Sequence, residues 1–234
     1  MLRTIRLIAV IGAVAALVPA GTALAQGGSS SGPGVPAGQI EFTQRTVQVT
    51  GSNSVPRFER VDRYLTTHAS HVRITNLNTG KLRFEGVTSP KRELRYDATT
   101  NELTVAKGSR TPPYVTLGQE ARIFAQEVAD GCWTAAGDIV FEGRSATLYK
   151  LVPATSGPCR GDAQVGQAVV DKATGVILER EAGEADGSFK QVEALERFST
   201  LPLNRQTKKL LAWHDHPGAK RVDESGHKVP SHRH

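Results

Sequence analysis

Between Val72 and Val105 apolar and polar residues alternate with a period of two, and turn chemistry interrupts the alternation at roughly ten-residue intervals. A chain patterned this way buries one side of each strand and wets the other, which commits it to antiparallel sheet. Val72 and Ile74, Leu82 and Phe84, Leu94 and Tyr96, and Leu103 and Val105 are expected to share one face. Asn78-Thr79-Gly80, Thr88-Ser89-Pro90 and Ala98-Thr99-Thr100-Asn101 supply the connections, so the segment reads as a meander.

The period then changes. Leu117, Ala121, Phe124 and Val128 fall on one face of a helix, Thr116 and Gln119 have capping-box spacing, and Gly131 is placed to end it. Strands are expected again at Ile139 to Glu142, Ala146 to Leu151, Gln167 to Val170, Val176 to Glu179 and Phe189 to Phe198, with Gly143-Arg144-Ser145 and Lys172-Ala173-Thr174-Gly175 as hairpin turns, while Glu193 to Phe198 fits a helix equally well. Ile40 to Val49 reads as a further strand. Many antiparallel strands with one amphipathic helix make an α+β fold in which the helix covers a sheet face.

The ends of the chain are different in kind. Arg3 and Arg6, the apolar run Leu7 to Val18, and Ala23-Leu24-Ala25 have the order of a secretory signal, and the run is shorter than the ~20 residues of a membrane span. The expected organisation is a signal at 1–25, a flexible Gly/Ser/Pro linker at 26–38, one domain at 39–213, and a disordered His-rich tail at 214–234. The chain is thus expected to be exported, periplasmic or extracellular, and not integral to a membrane once the signal is removed. Removal takes two Arg and no acid, lowering the net charge from +6 to +4. The remaining bases alternate with acids, as in Lys91-Arg92-Glu93, which argues against nucleic acid as a partner.

Two cysteines in an exported chain are read as a disulfide. A hairpin turning about Gly143-Arg144-Ser145 brings Cys132 and Cys159 together at its open mouth, and no Cys-x-x-Cys spacing suggests redox exchange. Gly28-Ser29-Ser30-Ser31-Gly32 has the letters of a nucleophile elbow but lacks the flanking strand and helix. His68 and His71 point to opposite faces of a strand, which disfavours a joint ligand role. His214-Asp215-His216 with His227, His232 and His234 carries ligand types suited to Zn²⁺, Cu²⁺ or Ni²⁺, set against the plainer reading of a solvated extension. Asp171 is the most site-like acid, yet an Asp opening a turn is explained by local hydrogen bonds. No catalytic residue, metal centre or cofactor is expected.

Gly143-Arg144-Ser145-Ala146, a Pro/Gly loop, and then Val170-Asp171-Lys172-Ala173-Thr174-Gly175-Val176-Ile177-Leu178-Glu179-Arg180-Glu181 resemble the "Gly-Arg-x-Ala … Val-Asp-x-x-Thr-Gly-x-x-x-Arg" progression of the outer-membrane lipoprotein carrier (LolA-like) superfamily, which includes periplasmic sigma-factor regulators of the RseB and MucB type. The resemblance covers roughly residues 60 to 200. It implies a curved antiparallel half-barrel with one or more helices over the concave face, enclosing an apolar cavity for acyl chains. On that reading the chain is a non-enzymatic binding protein for lipid acyl chains or a lipoprotein, or else a regulator that binds an envelope protein partner. The expected lining is Leu82, Phe84, Leu94, Tyr96, Leu103 and Val105 from the sheet, with Leu117, Phe124 and Val128 from the helix.

Overall fold

Three turns show how local chemistry lays out the strands. Asn76, Asp97 and Asp171 each end a strand with a side-chain oxygen that accepts from backbone N–H groups just ahead: from Asn78 and Thr79, from Thr99, and from Ala173 and Thr174. A Thr hydroxyl donates to the same oxygen in every case. Each turn closes on a residue with positive φ, Gly80 at 67°, Asn101 at 54° and Gly175 at 71°. Asp171 is therefore a turn-forming acid, as expected, and Arg144 Nη1 donates to its other oxygen at 3.2 Å.

The computed structural model describes residues 34–51, 54–109, 114–154, 156–159 and 163–223. The order is β1 (Gln39–Gly51), β2 (Ser54–Leu65), β3 (Ser70–Asn76), β4 (Leu82–Thr88), β5 (Arg92–Asp97), β6 (Glu102–Lys107), α1 (Leu117–Ala129), β7 (Trp133–Phe141), β8 (Arg144–Leu151), β9 (Val165–Asp171), β10 (Ile177–Gly183), β11 (Phe189–Pro202), a 3₁₀ turn (Thr207–Leu211) and β12 (Lys220–Val222). The strands form one open sheet in the order β12-β6-β5-β4-β3-β2-β1-β11-β10-β9-β8-β7. The meander β3-β4-β5-β6 is antiparallel throughout, and β12 joins β6 in parallel. An open, largely antiparallel sheet with one helix among the described residues is the α+β class expected, consistent with a half-barrel.

The chain divides into two compact units. The first comprises Thr46–Phe58 and Phe124–Ala194. Its core joins Phe124 of α1 to Cys132, Trp133, Ala168, Val170 and Ile177, with Val128, Tyr149 and Leu151 packed around them. The Phe124 ring lies 5.3 Å from Trp133 and 5.2 Å edge-on from Tyr149. The indole N–H of Trp133 donates to Glu127 Oε2 at 2.8 Å, so its polar end is satisfied. β9 is buried on both faces, because Val169 points the other way into a cluster with Ala146 and Leu178. Cys132 and Cys159 are bonded as expected, with Cα atoms 5.0 Å apart. The hairpin that brings them together turns earlier than expected. Phe141 pairs with Arg144, leaving Glu142 and Gly143, both at positive φ, as a two-residue loop. Val152 then hydrogen-bonds to Cys132, and the following loop carries Cys159 back to it.

The second unit comprises 34–45, Glu59–Ile123 and 195–223. The expected capping box is formed: Gln119 Oε1 accepts from the Thr116 N–H at 2.8 Å, and Thr116 Oγ1 from the Gln119 N–H at 3.1 Å. The first turn of α1 is held to β1 by Glu41, which accepts from the Leu117 N–H, and by an Arg45–Glu120 ion pair. Of the expected flexible linker, 34–38 are described, and they are anchored: Val35 is buried and its carbonyl accepts from Thr67 Oγ1. Of the expected disordered tail, 214–223 form part of the fold, through side-chain contacts described below and through the pairing of Lys220, Arg221 and Val222 with Glu102, Leu103 and Thr104. The signal segment, the Gly-x-Ser-x-Gly stretch and His227, His232 and His234 lie outside the described residues. No helix among those described is long and apolar enough to cross a membrane.

Candidate functional site

The strand registers separate residues that the alternation assigned to one face. Val87 pairs with Leu94 and Glu85 with Tyr96, while Phe84 pairs with Asp97. Residues directly opposite in antiparallel strands project to the same side. Leu94, Tyr96, Leu103 and Val105 therefore share a face with Glu85, Val87 and His71, and Phe84 lies on the opposite face with Ile74 and Val72, while a register shift separates Leu82, paired with Thr75, from Phe84. The mismatch arises in the β4–β5 hairpin, whose loop length sets parity between the strands, and parity is not contained in either strand's own pattern. The helix candidates divide too: Phe124 and Val128 belong to the hydrophobic cluster of the first unit, and Leu117 is buried in the second.

The face bearing Leu94, Tyr96 and Leu103 has a polar centre. Glu85 of β4 is fully buried, at 0% exposure, and His71 of β3 is at 1%. His71 Nε2 lies 2.8 Å from Glu85 Oε1, and its Nδ1 lies 2.6 Å from the Leu210 carbonyl. The C-terminal segment supplies two more imidazoles, His214 Nδ1 at 2.6 Å from Oε1 and His216 Nε2 at 2.9 Å from Oε2. The His214 backbone N–H also donates to Oε1. Burial by itself pushes the Glu85 carboxyl up; the hydrogen bonds from His71, His214 and His216 outweigh it and hold the group at about 2, so Glu85 is a carboxylate. Around it His216 stacks on Tyr96, ring centroids 3.7 Å apart, and meets Trp213 edge-on at 5.0 Å. Asn101 Nδ2 donates to the Gly218 carbonyl.

The segment from the 3₁₀ turn to β12 thus runs as a strap across this face. Not one residue of 207–219 is buried, so the strap has no core of its own, and its contacts with the face are made largely through the Glu85 cluster and Tyr96. Among the described residues, His71, Glu85 and His214 offer three ligand-type atoms within 4.8 Å of one another, where no metal group is expected from the sequence. His68, three residues from His71, is exposed and takes no part.

No protein-family model and no curated protein matches the chain. Solved structures do. A conserved protein of Thermus thermophilus, described as uncharacterized, is 12% identical with a TM-score of 0.47, over 80% of this chain and 91% of that one. The MucA/MucB complex of Pseudomonas aeruginosa is 15% identical with a TM-score of 0.42, over 74% of this chain and 56% of that one. A LolA superfamily protein of Nitrosomonas europaea is 8% identical with a TM-score of 0.30, over 77% of this chain and 92% of that one. The superfamily that the sequence resembles is thus represented among these structures.

Proposed function

We propose that the chain is an exported, non-enzymatic binding protein of the cell envelope that takes the acyl chains of a lipid or lipoprotein on the β4–β6 face. The observation that carries this reading is the cover of that face. Leu94, Tyr96, Leu103 and Val105 form an apolar strip, and a strap that buries none of its own residues across 207–219 meets it at Tyr96 through His216. An acyl chain that displaces the strap's side chains from this strip gains about 0.8 kcal/mol for each methylene it buries. The candidate lining is accordingly Leu94, Tyr96, Leu103 and Val105, without Phe84, Phe124 or Val128. Native mass spectrometry of the protein purified from its own host tests the reading. A co-purified lipid that is lost on Leu103→Asp supports it, and a repeatedly lipid-free protein that also fails to take up added fatty acid refutes it.

A second reading, an envelope protein partner, is favoured by β7. This strand ends the sheet among the described residues, and its exposed side carries Val140 at 79% exposure. An unpaired strand edge is a template for a partner's strand. Co-purification of a stoichiometric protein that a Val140→Lys change releases, with no lipid present, would favour this reading over the first.

A further inference from the structure

We propose that His71, Glu85 and His214 form a binding site for a divalent d-block cation of the Zn²⁺ class, which fastens the C-terminal strap to the sheet. The donor set is two imidazole nitrogens and one carboxylate oxygen, the ligand types that such ions take. His71 and Glu85 sit on neighbouring strands, diagonal to each other on one face, since His71 pairs with Val87 and Glu85 with Arg73. Both are held by the sheet before any ion arrives.

Two features beyond the clustering point to a cation. The first is the support of His71. Its Nδ1 lies against the Leu210 carbonyl, which fixes the ring, and its Nε2 is aimed at the Glu85 carboxylate. That is the support a metal-bound histidine ordinarily has. The second feature is crowding at Oε1, which faces His71 Nε2, His214 Nδ1 and the His214 N–H together.

Two ligand atoms on a tetrahedral ion, each about 2.0–2.1 Å from it, stand about 3.3 Å apart. The N···O separations here are 2.8 and 2.6 Å, so the ligands part by roughly half an ångström to admit the ion. His214 belongs to the strap and its side chain is 53% exposed, which gives both the necessary give and an entry path. His216 holds Oε2 and stacks on Tyr96, so it is a positioning residue that keeps Oε1 aimed at the ion. The fourth position is left to water.

The site adjoins the apolar strip through His216 on Tyr96, and its test reads the ion alone. Its test uses the full chain, with Zn²⁺ titrated against a chromophoric chelator and Co²⁺ substitution to read the ligand field. One equivalent is expected to bind with a tetrahedral Co²⁺ spectrum. His214→Ala, at a half-exposed position, should weaken affinity by at least ~100-fold with an unchanged far-ultraviolet circular dichroism spectrum, and His216→Ala by about tenfold, the scale of losing a residue that only orients a ligand. Glu85→Gln should abolish the tetrahedral spectrum. Replacing His227, His232 and His234 by Ala together should leave the tight equivalent unchanged. The proposal is overturned if the wild-type chain binds no Zn²⁺, if His214→Ala binds as tightly as wild type, or if the triple change removes the tight equivalent.

Discussion

Phe124→Ala separates a filled core from a ligand cavity. Phe124 is 3% exposed and stands between Trp133 and Tyr149, with Ala168, Val170 and Ile177 in the same cluster. Removing a buried Phe costs about 3–5 kcal/mol from lost transfer energy and the cavity left behind. The two aromatic contacts place this site in the upper half of that range, since each such pair adds about 0.5–1.5 kcal/mol beyond area burial. Relaxation is restricted as well, because Trp133 is tied by its N–H to Glu127 and overlain by Arg180. Urea unfolding followed by tryptophan emission measures the loss. Trp133 and Trp213 are the only tryptophans, so a Trp213→Phe background leaves a single reporter inside the core. The expected result is a loss of about 4 kcal/mol with unchanged lipid uptake by the folded protein. A loss below about 1.5 kcal/mol, together with altered uptake, would show that Phe124 lines an open pocket and would refute the assignment.

Three further outcomes follow from the same structure. Reducing the chain, or changing Cys132 and Cys159 to Ser, should destabilise the first unit by about 3 kcal/mol in the chain-entropy account, read as a lower urea midpoint. Thr116→Ala removes the hydroxyl that accepts from the Gln119 N–H and should cost about 1 kcal/mol, visible as faster exchange of the first-turn amides of α1. Glu179 is pushed up to about 7 by burial and by its neighbours Glu181 and Glu142, with Lys190 opposing. Between about pH 4.5 and 7 the folded chain therefore holds a proton that the unfolded chain has lost, and stability falls as pH rises through that window. Glu179→Gln should then stabilise by about 1 kcal/mol at pH 8, after allowance for solvent screening of a half-exposed group, and be neutral at pH 4. Equal effects at both pH values would contradict the assignment.

The parts of this fold legible in the sequence are those fixed by neighbours in the chain. Thr116 and Gln119 announce the start of α1, and Asp171 through Gly175 announce a turn, because the partners lie within four residues. β2 is not legible in the same way, because its alternation is carried by charged residues that are satisfied from other strands: Glu59 is buried against Arg83, and Asp62 accepts from Gln44. Pro56 also argues against a strand, yet it lies outside the Glu59–Leu65 stretch that pairs with β3. The Glu85 site is hidden for a related reason. His214 and His216 meet a carboxylate more than a hundred residues away, in a segment whose composition predicts disorder. The signal present is their spacing of two, which puts both side chains on one side of an extended chain.

β12 has a meaning apart from the site it follows. The outer rim of β6 would present a row of open backbone groups along Glu102–Lys107, and three residues of β12, two of them basic, cover its Glu102, Leu103 and Thr104. A short, charged terminal strand is a poor template for further pairing. The chain's last described strand therefore leaves the sheet with a short, basic edge that disfavours edge-to-edge pairing.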